Sequence, residues 1–146
     1  DVFFVGGGNT KSMLAVWREW GIDELLHNAY HEGKIMSGVS AGAICWFEKG
    51  VTDSWDDELR VLDCLGIIKG NCCPHYDEEP DRIPYTNKFL TEGLMNSIHC
   101  IEGGSALHFV DELVKHNVSF HKSKNSYNVS IKDNQILTKA YSSISI

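Results

Sequence analysis

The chain has no run of apolar residues approaching the roughly 18 that a membrane-spanning helix needs, and nothing in its pattern suggests a spanning segment. Concentrated positive charge is also missing. With 13 Lys and Arg against 20 Asp and Glu, the formal charge is -7, and phosphate backbones are bound by clustered basic residues. The one weakly basic stretch, "KHNVSFHKSK", reads as a solvated surface, so nucleic acid is not an expected partner. The first residues, "DVFFVGGG", do not have the charged-then-apolar layout of a secretory signal.

The cysteines form no disulfide framework, because there are five of them and Cys72 and Cys73 are adjacent, a poor geometry for orderly pairing. Free thiols in a reducing, cytoplasmic setting are expected. No C-x-x-C pair is present, so Cys72, Cys73 and His75 lack the partners of a four-ligand zinc site, and neither metal nor cofactor is expected. The "NVS" triplets at Asn117 and Asn128 match the glycosylation acceptor pattern, but such triplets arise readily by chance. Internal repeats, low-complexity tracts and interdomain linkers are absent too, and 146 residues with 42% apolar content suit one compact domain.

What is there alternates strand and helix. Val2 to Val5 reads as a buried strand running into Gly6, Gly7 and Gly8. Asn9 or Thr10 then caps a helix carrying Met13, Leu14, Trp17 and Trp20. Gly21 breaks that helix, and a second runs from about Asp23 to His31 and ends at Gly33. "KIMSGVS" is a strand, and "AGAICWFEKG" reads as a buried helix beginning directly after Ser40. Residues 51 to 74 are irregular, with a short apolar stretch at Leu65 to Ile68. A helix is expected after Pro84, "IHCIEGGSALHFV" gives a strand, a Gly-Gly turn and a second strand or short helix, and the tail alternates as a hairpin around "KDNQ". This order predicts an α/β domain with a doubly wound, mainly parallel sheet and an antiparallel edge. Because an apolar strand leading into glycines belongs inside a parallel sheet, the chain is expected to be a fragment lacking N-terminal strands.

Gly38, Ser40 and Gly42 satisfy the G-x-S-x-G pattern of a nucleophile elbow, in which small neighbours let a strained turn expose the serine hydroxyl. An alternative is a tight turn with Ser40 as an N-cap. A serine needs a base, and among seven histidines His75 stands in a stiff loop after Pro74. The base needs an orienting carboxylate. Glu102 sits at a strand end beside the Gly-Gly turn, while Asp77, Glu78 and Glu79 compete for the role or serve as solvated loop charges. The N–H groups of Gly7, Gly8 and Ala41 are placed to receive an oxyanion. Cys45 reads as a buried apolar side chain.

Taken together, "FFVGGGNT", "GVSAGA", "CPHYD" and "IEGGSALH" resemble the peptidase E family of serine peptidases, the aspartyl dipeptidases and their relatives. The resemblance implies a three-layer, flavodoxin-like fold similar to the class I glutamine amidotransferase domain. It also implies a triad of Ser40, His75 and Glu102 that cleaves short peptides, Asp-X dipeptides among them. Asn9 and Arg82 are the corresponding substrate-binding candidates, and a homodimer is the candidate assembly. Two other readings stand beside it. One is an α/β-hydrolase esterase, whose Ser, acid, His order would make His108, His116 or His121 the base. The other is a catalytically silent domain of the same fold. The acidic loop 77 to 81 is expected to narrow the cleft toward short peptides.

Overall fold

The computed structural model describes residues 1–55 and 58–145. Asp56 and Asp57 of the irregular stretch, together with Ile146, lie outside the described residues. The chain divides into two compact units, residues 1–69 and 70–146.

In the first unit, strand β1 (Val2–Val5) leads through two helices, α1 (Thr10–Glu19) and α2 (Ile22–His31), to strand β2 (Ile35–Gly38). β1 and β2 pair in parallel, from Val2 opposite Ile35 to Val5 opposite Gly38, a pairing that requires a crossover of this length. Asn9 caps α1, its side chain accepting the Ser12 N–H at 2.9 Å. Gly21, at φ 68°, supplies the left-handed residue that separates α1 from α2. The helices bury Leu14 and Leu26 against Cys45, Trp46, Leu62 and Ile67, with the Trp17 and Trp46 rings 6.3 Å apart.

The long buried helix expected after Ser40 is a single turn, α3 (Ala41–Ile44), followed by strand β3 (Phe47–Thr52). The physical reason lies in β3 itself. Lys49 to Thr52 pair antiparallel with β4 (Arg60–Asp63), and Gly50 packs so closely on Ile44 that a Cβ there would lie 2.9 Å from the Ile44 side chain. An apolar run of this length is compatible with buried helix or buried strand, and the ladder to β4 decides it.

The second unit begins within strand β5 (Ile68–Cys73) and continues through α4 (Arg82–Thr91) to β6 (Ser97–Ile101). Cys72 and Cys73 of β5 lie parallel to His99 and Cys100 of β6. α4 starts two residues before Pro84, which falls in the first turn where its missing N–H costs no helix bond. β6 also pairs antiparallel with β9 (Ser126–Lys132), and β9 with β10 (Gln135–Ala140). The expected tail hairpin is therefore present, its turn formed by Asp133 and Asn134 at φ 51° and 60°, values suited to a type I′ turn. A separate hairpin, β7 (Ser105–Val110) with β8 (Leu113–Ser119), adds β11 (Ser143–Ser145) in parallel along β8. Both units thus mix helices with parallel and antiparallel strands, an α/β fold consistent with the flavodoxin-like class. No described helix is long and apolar enough to cross a membrane.

Candidate active site

Ser40 stands between the end of β2 and the first residue of α3, with φ 55° and ψ −119°. That conformation is unfavourable for a residue with a Cβ and persists only where the surroundings impose it. The imposing contacts are backbone to backbone. A Cβ on Gly38 would lie 2.1 Å from the Gly42 carbonyl oxygen, and one on Gly42 would lie 2.1 Å from the Val5 carbonyl oxygen. The Val39 N–H donates to that same Val5 oxygen at 3.1 Å. Glycine at 38 and 42 therefore lets β1, β2 and α3 close on one another, with Ser40, half-buried, at the strained turn between them. Gly7 faces it, since a Cβ there would come within 3.4 Å of the Ser40 Cβ. Ala41, the first residue of α3, has an N–H with no intrahelical acceptor.

Asn9, a substrate-binding candidate, is occupied within the first unit. Besides capping α1, its Nδ2 donates to the Ser54 carbonyl at 2.9 Å. Cys45 is fully buried, and burial, followed by the neighbouring Cys64, pushes its thiol up, which suits an inert core side chain. All five cysteines are free thiols.

The second unit holds His75. Pro74 ends β5, and His75 takes φ 55°, turning the chain so that the Glu78 and Glu79 N–H groups donate back to the His75 carbonyl at 3.1 and 3.2 Å. The turn brings the Glu78 carboxylate to His75, whose Nδ1 lies 2.6 Å from Glu78 Oε2. Glu102, the sequence candidate for that position, is engaged elsewhere. Its Oε2 accepts the Asn125 N–H at 2.8 Å and its Oε1 accepts the Tyr127 hydroxyl at 3.3 Å.

Asp77, Glu78 and Glu79 each have a partner, although Glu78 and Glu79 stay partly exposed. Asp77 pairs with Lys124 and accepts the Gly103 N–H at 2.8 Å, Glu78 meets His75, and Glu79 receives Arg82 Nε at 2.7 Å. Burial works to raise the Asp77 carboxyl, but the hydrogen bonds from Lys124 and Gly103 outweigh it and hold the group below its ordinary range. Arg82 is only 4% exposed, so its guanidinium braces the loop against α4 rather than reaching outward. The alternative bases lie elsewhere in the second unit. His108 and His116 stack on each other at 5.5 Å across β7 and β8, and His121 lies beside Gly104. Lys124, Asn125 and Tyr127 carried no sequence signal, being some 20 to 50 residues from their partners with no local pattern between.

An α/β domain with a glycine-framed serine elbow belongs to the broad class of elbow-bearing α/β proteins. More narrowly, the model of peptidase family S51 matches residues 1–116, and the chain belongs to that family. It is 42% identical over 136 residues to the uncharacterized peptidase YgaJ of Bacillus subtilis strain 168, covering 93% of this chain and 59% of the relative. It is 30% identical over 98 residues to the uncharacterized peptidase Lmo0363 of Listeria monocytogenes, covering 63% of this chain and 47% of that one. The chain thus spans between about half and three-fifths of these relatives' lengths. A 1.5 Å crystal structure of a Listeria monocytogenes EGD-e protein described as a peptidase E shares the fold, with TM-score 0.55 at 23% identity over 97% of this chain and 60% of that one.

Proposed function

We propose that this chain carries the catalytic residues of a serine peptidase acting on short peptides, with Ser40 as nucleophile and His75 as general base. Membership of family S51 supports the reaction class, and the observation that carries the choice of nucleophile is the backbone of Ser40, at φ 55° between two glycines packed against neighbouring backbone. Ser40 Oγ attacks the carbonyl carbon while the Nε2 of His75 takes its proton. The oxyanion is received by the N–H groups of Ala41, Gly7 and Gly8. Collapse breaks the C–N bond, the amine leaves with the proton from His75, and water, deprotonated by the same ring, releases the acid from the acyl-enzyme. Asp-X dipeptides are the proposed substrates on the family resemblance. With the Arg82 guanidinium bonded to Glu79, that residue is not the proposed reader of the acidic side chain.

Labelling with a fluorophosphonate tests the nucleophile. Wild type is expected to label, and Ser40→Ala and His75→Ala are not. Labelling retained at full rate in Ser40→Ala would discard the mechanism. A dipeptide panel then asks whether Asp-X is hydrolysed ahead of Ala-X and Lys-X; equal rates for all three would remove the aspartyl preference and leave the serine chemistry standing.

A further inference from the structure

We propose that His108 and His116 form a two-imidazole chelate for a late first-row divalent ion, the class that holds Zn²⁺, Ni²⁺ and Cu²⁺. The site lies wholly on the β7–β8 hairpin and does not depend on the peptidase reading. It is built by register. His108 is the direct partner of His116 across the antiparallel pair, a position that sets the two Cβ atoms about 4.5–5.5 Å apart. Alternation along each strand then turns both side chains to one face. On β8, Asn117 and Ser119 are buried, while His116 and Val118 are partly exposed. On β7, Phe109 sets its ring edge-on to His99 at 5.3 Å, and His108 beside it is exposed. The register shifts between His108 and Phe109, and a bulge of this kind re-aims the side chains next to it. The two imidazoles end up stacked, with centroids 5.5 Å apart and planes 22° from parallel.

Among the described residues neither ring has a hydrogen-bond or ion-pair partner, so each neutral imidazole keeps a nitrogen lone pair for a metal. A zinc–nitrogen bond is about 2.0–2.1 Å, which puts two imidazoles on one tetrahedral ion roughly 5 Å apart between ring centres. The observed spacing is close to that, and small turns of the rings close the rest. Imidazole selects late first-row ions, whereas Mg²⁺ and Ca²⁺ want oxygen ligands. No group of three ligating side chains occurs among the described residues, so water or an external ligand fills the remaining positions. The ion would tie β7 to β8 and, by binding only the folded hairpin, stabilise it. Other side chains compete poorly. His27 and His31 are one turn apart on α2, but the Nε2 of His27 already lies 3.0 Å from the Leu65 carbonyl oxygen. Burial pushes the Cys45 and Cys64 thiols up, and a thiol is a metal ligand only once deprotonated.

Zinc chloride titrated into the whole chain tests the site, read by calorimetry and by nitrogen NMR of histidine-labelled protein. The first equivalent of Zn²⁺ is expected to shift the ring nitrogens of His108 and His116 together and to leave those of His27, His31 and His75 in place. Mg²⁺ at the same concentration should move neither ring. Losing a ligand should cost no less than the roughly 10–100-fold in affinity that losing a ligand's outer partner costs. His108→Gln and His116→Gln are each expected to weaken binding by at least that factor, and the double variant to show no binding. Undiminished binding in the double variant overturns the proposal, as do a shift confined to one of the two rings and a binding event lost in His31→Gln. Rings that stay in place at millimolar Zn²⁺ overturn it too. The NMR arm is read on wild type, so the result does not hang on how the variants fold. Fluorophosphonate labelling is expected to be unchanged in both single variants, so failure of the chelate and failure of the serine chemistry are read separately.

Discussion

Gly42 lies against Val5 so closely that a Cβ on the glycine would sit 2.1 Å from the Val5 carbonyl oxygen and 2.8 Å from the Val5 Cβ. Neither contact is with the movable end of a side chain. Val5 is the last residue of β1 and is held in register with Gly38 of β2, so relief requires moving a strand. Gly42→Ala is therefore expected to cost about 3 kcal/mol or more, at the upper end for overpacking, and to lower the melting temperature by roughly 10 °C. A thermal melt by circular dichroism checks it; a variant that melts with the wild type would show that the elbow is not packed this way.

The same closure makes Ser40 a strained residue, and the strain is separable from its hydroxyl. At φ 55° and ψ −119° a glycine is at ease, whereas alanine keeps the Cβ that objects. Ser40→Gly is expected to be more stable than Ser40→Ala by about 1 kcal/mol, once the greater freedom of glycine in the unfolded chain is subtracted. That corresponds to about 3 °C in melting temperature. Neither variant should label. Equal stability of the two would mean that the backbone is not strained at this position.

How much of this was legible beforehand depends on the range of the interaction. The elbow could be read because its requirement is steric and local: glycines two residues either side of a serine, between a strand and a helix turn. The tail hairpin was legible for a similar reason, Asp133 and Asn134 being residues that tolerate positive φ. The helix expected after Ser40 was too long because "AGAICWFEKG" satisfies a buried helix and a buried strand alike, and its pairing with β4 is a tertiary fact. Glu78 was visible only as one of three acids near His75. What brings it to His75 is the turn that the positive φ of His75 makes, which leaves no pattern in the neighbouring residues.

Arg82 offers a test between bracing and recognition. Its guanidinium is buried, and the Glu79 carboxylate with which it pairs is partly exposed, at 4% and 42% of their side-chain areas. Removing a buried partner strands the other charge, although exposure of Glu79 moderates the loss. Arg82→Ala is expected to cost about 2 kcal/mol in a denaturant melt and to lower turnover of Asp-X and Ala-X dipeptides by the same factor. A variant with unchanged stability that loses Asp-X turnover alone would return Arg82 to the substrate.

His99 gives the fold a dependence on acid that can be isolated from the rest of the chain. It lies on β6 with its Nδ1 2.6 Å from the Tyr141 hydroxyl and its ring edge-on to Phe109 at 5.3 Å. Burial lowers the imidazole from 6.5 to about 4, because the charged ring is poorly solvated there. The unfolded chain, with an ordinary histidine, therefore binds the extra proton between those two values. Stability from this group is complete above pH 6.5, declines as the pH falls toward 4, and is level below it, a loss on the order of 3 kcal/mol. His99→Gln keeps a polar group of similar reach for Tyr141 and removes the titration. Wild type is expected to lose more stability than His99→Gln between pH 7 and pH 4, and the difference between the two urea-melt curves should be confined to that window. Parallel curves across it would mean that His99 titrates alike in the folded and unfolded chain.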